Sequence, residues 1–238
     1  MNNLDLLYGD ELIINKNITI KHPTVMDIKK LGYEIYSTYV YLLTARPVDV
    51  GDILWVDCKI WYEDVTQWEM FLNFFQNHPD TKKAIKWFTG LECEIAIVDN
   101  VTYLYCKEKE IYMNEHFYLE MREYIKTINY IPTPKLDVEN SGNKITQKYI
   151  LEHKRKERKN KEEEIIDLSS IISSLMWKGH IGLEVWEFPI YSIYDGYFRL
   201  NMIDNYDKTI TALYAGNIDT KKTQIDIEKI NWSNIIRF

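Results

Sequence analysis

Apolar residues in this chain fall into two kinds of pattern. Short β-branched runs predict strands, and longer stretches with apolar positions three and four residues apart predict helices. Glu11-Leu12-Ile13-Ile14 and Ile18-Thr19-Ile20-Lys21 flank Asn15-Lys16-Asn17 and predict a hairpin over about 11–21. Pro23 stops the second strand. Thr24 is placed to cap a helix, with Asp27 three residues on completing a capping box. That helix is expected from Val25 to about Ala45, with Ile28, Leu31, Ile35, Tyr39 and Leu42 on one face and Arg46-Pro47 at its end.

Val48 to Tyr62 has a mixed period, although Trp55, Val56, Cys58, Ile60 and Trp61 are expected inside. Asp64 is placed to cap a helix from Val65 to about Asn77, and Thr81 to Phe88 predicts a short helix closed by Thr89-Gly90. Glu92–Val98 and Val101–Cys106 surround Asp99-Asn100 and predict a second hairpin over 92–106. Glu110–Met113 adds a third strand, and Asn114 caps a helix from Glu115 to about Asn129.

Pro132-Thr133-Pro134 and Asn140-Ser141-Gly142-Asn143 bracket the expected domain boundary. Before it, residues 1–134 form an α+β portion. Beyond it, residues 135–238 form a helical portion with a charged helix near 145–164. Leu168, Ile171, Ile172, Leu175 and Met176 then make one stripe. A long helix starts near Pro189, with a potential break at Asp204-Asn205, and Ile227, Ile230, Trp232 and Ile235 predict a docked tail. The fold class is α+β, and the two portions are expected to pack as one unit because no long linker separates them.

Composition narrows the function classes. The 29 basic and 36 acidic residues give a net charge of -7, so a strongly nucleic-acid-binding surface is not expected. Cys58, Cys93 and Cys106 are odd in number and lack CxxC spacing, which argues against a disulfide framework. Cys93 and Cys106 could face each other across the second hairpin, with buried thiols the favoured reading. No apolar run approaches the ~20 residues of a membrane span, and no basic-then-apolar leader opens the chain. A reducing cytoplasm is the expected location.

Catalytic signatures are missing from the letters. His22, His78, His116, His153 and His180 form no HExxH, HxH or zinc-spaced set. There is no GxGxxG, GxxxxGK[ST] or GxSxG, and no carboxylate pair stands out for acid–base work. No catalytic residue, cofactor or metal is therefore assigned. The basic run Lys154, Arg155, Lys156, Arg158, Lys159 and Lys161 is the candidate partner-binding segment. Glu152, Glu157 and Glu162–Glu164 dilute it, so a solvated helix or an acidic protein partner fits it better than nucleic acid.

A resemblance adds a context. Tyr8-Gly9-Asp10, Ile18–Lys21, Pro23-Thr24-Val25-Met26-Asp27-Ile28 and Gly32, then Leu54-Trp55, Trp61 and Asp64–Phe75, form a scattered pattern. It continues in His180-Ile181-Gly182, Leu213–Asp219 and Ile230-Asn231-Trp232. This pattern resembles tail-module proteins of tailed phages from low-GC hosts. The resemblance implies a non-enzymatic tail assembly chaperone that binds tape-measure or tube proteins, with oligomerisation a further option. A connector or tail-completion component of the virion is the second reading, so the resemblance implies the host-cell cytoplasm as the location, with the virion as the alternative. A phage enzyme or nucleic-acid-binding factor is the third.

Overall fold

A computed structural model of the protein describes residues 2–14, 18–158, 167–179, 181–215 and 230–233. Its α+β architecture sets two small antiparallel sheets among eleven described α-helices. The chain opens with α1 (Asn3–Tyr8), which the apolar pattern did not announce. Its capping box pairs Asn2 with Asp5, and Gly9 closes it at φ 90°. Strands β1 (Leu12–Ile14) and β2 (Ile18–Ile20) then pair antiparallel, as expected.

The expected 25–45 helix is two helices, α2 (Val25–Leu31) and α3 (Tyr33–Thr44). Gly32 separates them at φ 96° and ψ 130°, a conformation that glycine adopts at little cost and that cannot continue a helix. Thr24 caps α2 as the letters indicate, with Asp27 completing the box. The segment of mixed period becomes a 3-10 turn (Pro47–Val50), α4 (Gly51–Val56) and a second 3-10 turn (Tyr62–Asp64). Thr66, not Asp64, caps α5 (Gln67–Asn77) by a reciprocal box with Glu69. The short helix expected over 81–88 starts earlier, as α6 (Pro79–Thr89), because Pro79 suits a first turn.

Strands β3 (Glu94–Val98), β4 (Val101–Cys106) and β5 (Ile111–Met113) form a meander in that order. Asp99 and Asn100 both have positive φ, 51° and 62°, as a two-residue primed turn requires. Helices α7 (Glu115–Ile128), α8 (Asp137–Asn140), α9 (Lys144–Arg158) and α10 (Leu168–Trp177) follow. A 3-10 turn (Leu183–Glu187) leads into α11 (Ile190–Tyr214), which runs unbroken through Asp204-Asn205.

The main core draws on both sides of residue 134. Ile20, Ile28, Phe71, Phe75, Phe88, Tyr118 and Ile125 share it with Leu168, Ile171, Leu175, Ile190 and Ile193. Each fully buried side chain of this size contributes roughly 1.5–3 kcal/mol by leaving water. Polar ties reinforce the junction: Tyr36 donates to Asn129 at 2.6 Å, and Tyr130 donates to the buried Asp195 carboxylate on α11. A second, smaller core of Val48, Trp61, Tyr62, Val138 and Leu151 fastens α8 and α9 against α4 and the Trp-rich segment.

Two stretches of the family-like pattern, Gly9-Asp10 and Pro23-Thr24-Val25, meet at one joint. Val25 N donates to Phe188 O at 3.0 Å, and Ile190 N donates to Pro23 O at 2.9 Å, so Pro23-Thr24-Val25 anchors the start of α11. Gly9 lies against the same place, where an added Cβ would sit 2.6 Å from Pro189 Cγ. Tyr124 reaches across to donate to Asp10 O at 2.9 Å. These two stretches therefore form a structural joint with the start of α11.

Candidate partner-binding groove

The joint fixes α2 opposite α10, and a groove of about 600 Å³ opens between them. One wall is Val25, Ile28, Lys29 and Tyr33. The other is Leu168, Ile172, Met176, Trp177 and Trp186, with Ser169 and Ser173 along the edge. The α10 sequence explains this wall. Asp167 caps the helix by accepting from Ser170 N at 2.8 Å, and Leu168, Ile171, Ile172 and Leu175 turn into the core. That leaves Met176 and Trp177 at the C-terminal end beside the groove, and Trp177 is 88% exposed.

The α2 wall is held by its cap. Asp27 Oδ2 accepts from Thr24 N at 3.1 Å, Asp27 N donates to Thr24 Oγ1 at 3.2 Å, and Lys21 Nζ lies 3.0 Å from Asp27 Oδ1. Burial alone would raise the Asp27 pKa. The hydrogen bonds from Thr24 and Lys21 outweigh it and hold the carboxyl below its usual range. Lys29 is the only charged side chain among the described residues lining the groove, and its ammonium lies 4.4 Å from the centre of the Trp186 ring.

A second cavity, about 510 Å³, lies between α3 and α7 beneath the Ile131–Leu136 segment, and Tyr33 borders both. Its wall carries Arg46, Arg122, Lys126 and Asp49. These charges are largely occupied. Arg46 holds Asp49 through two hydrogen bonds, at 2.9 and 3.3 Å, and lies 3.5 Å from Glu139. Arg122 and Lys126 share Glu123, with Lys126 at 3.0 and 3.2 Å. Arg122 and Tyr118 lie side by side, yet among the described residues Arg122 Nε and Nη2 and the Tyr118 hydroxyl have no well-formed hydrogen bond.

The basic run of α9 faces in more than one direction. Arg155 pairs with Asp57. Arg158 donates to Asp49 O at 2.9 Å and lies 3.3 Å from Oδ1 of the fully buried Asp52. Both arginines thus clamp α9 onto the segment around α4. Lys154 is half-buried beside Val138, Tyr149 and Ile150, and Lys156 is exposed. Lys159 and Lys161 lie outside the described residues. Arg155, Lys156 and Arg158 occupy the last turn of the described helix, where the macrodipole favours positive charge.

The four tryptophans clustered in sequence separate in space. Trp55 and Trp61 meet edge to face at 5.8 Å, with Lys148 4.4 Å from the Trp55 ring centre. Trp68 stacks on Phe71 in the main core, and Trp87 packs on Tyr36 and Phe88. Among the described residues, no cluster of three or more His, Cys, Asp and Glu side chains is placed to hold a metal ion. Among them, too, no helix is long and apolar enough to cross a membrane.

Residues 157–237 match the family model for the YomV second domain, a phage-associated family, and the match covers about a third of the chain. The chain is thus similar to a phage protein over a stretch that includes α10, its following 3-10 turn and α11. No curated protein and no solved structure shows significant similarity to it. The groove wall contributed by Leu168 to Trp186 lies inside the matched stretch. The α2 wall lies outside it.

Proposed function

We propose that this chain is a non-enzymatic phage morphogenesis protein, tail assembly chaperone-like, that holds an apolar helix of another tail protein in the groove between α2 and α10. The observation that carries the reading is the groove itself. Its α10 wall runs from Leu168 to Trp177, its walls are almost wholly apolar, and Trp177 stands beside it at 88% exposure. A helix that buries its apolar face in such a groove needs no other chemistry. An exposed tryptophan is a frequent anchor of binding energy.

The charge at the groove edge selects the occupant. Lys29 lines the groove and Lys30 is exposed next to it on the last turn of α2. An amphipathic helix with leucine-like residues on one face and a flanking carboxylate is complementary to that edge. Tape-measure or tube segments of the same phage are the proposed source, and the phage-associated match over the α10 wall supports the setting.

The test uses purified tape-measure and tube fragments of the same phage with the intact chain. Capture of one of them, lost in Met176→Glu with Trp177→Glu while the melting temperature holds, supports the reading. Failure of every fragment to bind the unaltered chain overturns it. Mass spectrometry of purified particles separates the two phage roles. A chaperone is absent from them, whereas a symmetric copy number assigns the chain to the virion.

A further inference from the structure

The second hairpin carries a feature that the binding role does not use. Glu94 pairs with Tyr105 in the β3–β4 register, so Cys93 and Cys106 are the next facing pair, at the base of the hairpin. Both are free thiols, with their sulfurs 2.7 Å apart. Cys106 is fully buried in the main core, while Cys93 is half-exposed. Facing positions on antiparallel strands bring side chains within the reach that a disulfide needs.

We propose that Cys93 and Cys106 form a dithiol site that closes to an intramolecular disulfide by exchange with a small disulfide such as oxidised glutathione. Accessibility fixes the order of events. The Cys93 thiolate attacks one sulfur of the small disulfide, which breaks that S–S bond and releases one thiolate. Cys106 then attacks the Cys93 sulfur of the mixed disulfide and releases the second thiolate. Two protein thiols are oxidised, one small disulfide is reduced to two thiols, and the two protons lost from the cysteines end on the released thiolates.

The local electrostatics act on the reduced pair, where the contact with Cys106, then burial, pushes the Cys93 thiol up. A hydrogen bond from Cys93 lowers the pKa of Cys106 against the opposing effect of burial, so the pair gives up its first proton more readily than an isolated buried thiol. Glu108 opposes ionisation at both sulfurs, and Lys109 assists it at Cys106. Closure would clamp the base of a hairpin whose far end exposes Ile97, Val98 and Val101.

The experiment takes the full chain, with the exposed Cys58 changed to Ser, reduces it, and equilibrates it with oxidised and reduced glutathione at graded ratios. Alkylation and mass spectrometry count the remaining thiols. The expected result is that both thiols disappear together, the mass falls by two hydrogens, and a peptide linking Cys93 to Cys106 is recovered. In Cys106→Ala the same treatment leaves one stable glutathione on Cys93. Two results overturn the proposal. One is a lasting glutathione adduct on Cys93 of the chain that retains Cys106. The other is two free thiols at ratios that oxidise a reference dithiol. If the Cys58 variant does not fold, the same mapping on the unaltered chain reads the linkage directly.

Discussion

The two cavities that meet at Tyr33 are of similar size and differ in how many charged residues border them. The α2–α10 groove has one charged lining residue, Lys29, and almost no polar groups that need a partner. The α3–α7 cavity has four charged lining residues: Arg46, Asp49 and Lys126 are paired within the chain, whereas Arg122 is held by Glu123 through Nη1 alone. Polar groups that are already paired gain little from a newcomer, because a new bond must first replace an old one. Apolar surface left facing water gains free energy whenever something covers it. The proposed reading puts binding in the groove, whose lining leaves fewer charges to be satisfied.

Mirrored substitutions test that contrast, and they carry the largest expected effect. Trp177→Ala is expected to weaken capture of the tail-protein helix about 30-fold, equivalent to ~2 kcal/mol. Its stability should not change, because the side chain is 88% exposed. Tyr41→Ala on the rim of the charged cavity should change affinity by less than about two-fold, a difference too small to mark a hot spot. Titration calorimetry on both variants measures the pair, and equal losses would erase the distinction.

The clamp between α9 and α4 comes next. Arg158→Ala leaves the fully buried Asp52 carboxylate without its nearest cation. Removing one partner of a buried pair costs about 3–5 kcal/mol. Arg158 is itself 37% exposed, so screening by water brings the expectation down to ~2 kcal/mol in urea unfolding. Asp52→Asn in the same background should recover part of the loss, which distinguishes an electrostatic cause from lost packing.

His22 gives a pH-dependent contrast, since it belongs to the joint and not to either cavity. The ring is 5% exposed, its Nδ1 lies 3.4 Å from Asp10 O, and its Nε2 has no hydrogen-bond partner among the described residues. Burial pushes its pKa below the ordinary 6.5, against the opposing pull of Asp10. The unfolded chain therefore binds a proton at this site at a higher pH than the folded one does. The stabilising contribution is complete above pH 6.5 and declines as pH falls toward the lowered folded value. Urea midpoints should drop between pH 7.5 and 5.5, and His22→Gln should flatten that slope.

Arg122→Met probes the charged cavity with a smaller effect. Glu123 keeps Lys126 as a partner, and Nε and Nη2 have no well-formed hydrogen bond to lose. The Glu123 carboxylate left behind is 59% exposed and stays paired with Lys126, so no buried charge is stranded. The expected change in unfolding free energy is below about 1 kcal/mol. A loss several times larger would mean that the guanidinium is structurally required and that the cavity's charges are better satisfied than their geometry indicates.

Much of this was legible in the letters, and the failures have physical reasons. Both hairpins, the caps at Thr24, Asn114 and Pro189, and the α10 stripe rest on contacts within a few residues, so the local pattern reveals them. The break at Gly32 was hidden because the apolar period continues from Leu31 to Ile35, and only the positive φ of the glycine interrupts it. The first helix was missed although Asn2 and Asp5 spell its capping box, because six residues carry too little period to register. The groove could not be read at all. Its walls come from α2 and α10, which are brought together by the joint of Gly9, Pro23 and Pro189. The basic run was visible, but the acids that claim Arg155 and Arg158 lie far upstream in α4 and around it.

That last point yields the smallest effect and a sharp separation within the run. Arg155 and Arg158 are engaged with Asp57 and with the Asp49–Asp52 turn, whereas Lys156 is exposed and Lys154 half-buried. If the run served a partner or a nucleic acid through free charge, Lys154 and Lys156 would carry it. If it serves the fold, the arginines carry it and the lysines are surface. Lys154→Glu with Lys156→Glu should then change stability by no more than about 0.5 kcal/mol, the usual range for surface substitutions. Capture of tail-protein fragments should be unchanged, and any residual DNA or RNA retention at low salt should lose no more than the slope expected from two fewer cations. A loss of fragment capture in this double variant, with the groove intact, would move the binding surface from α10 to α9.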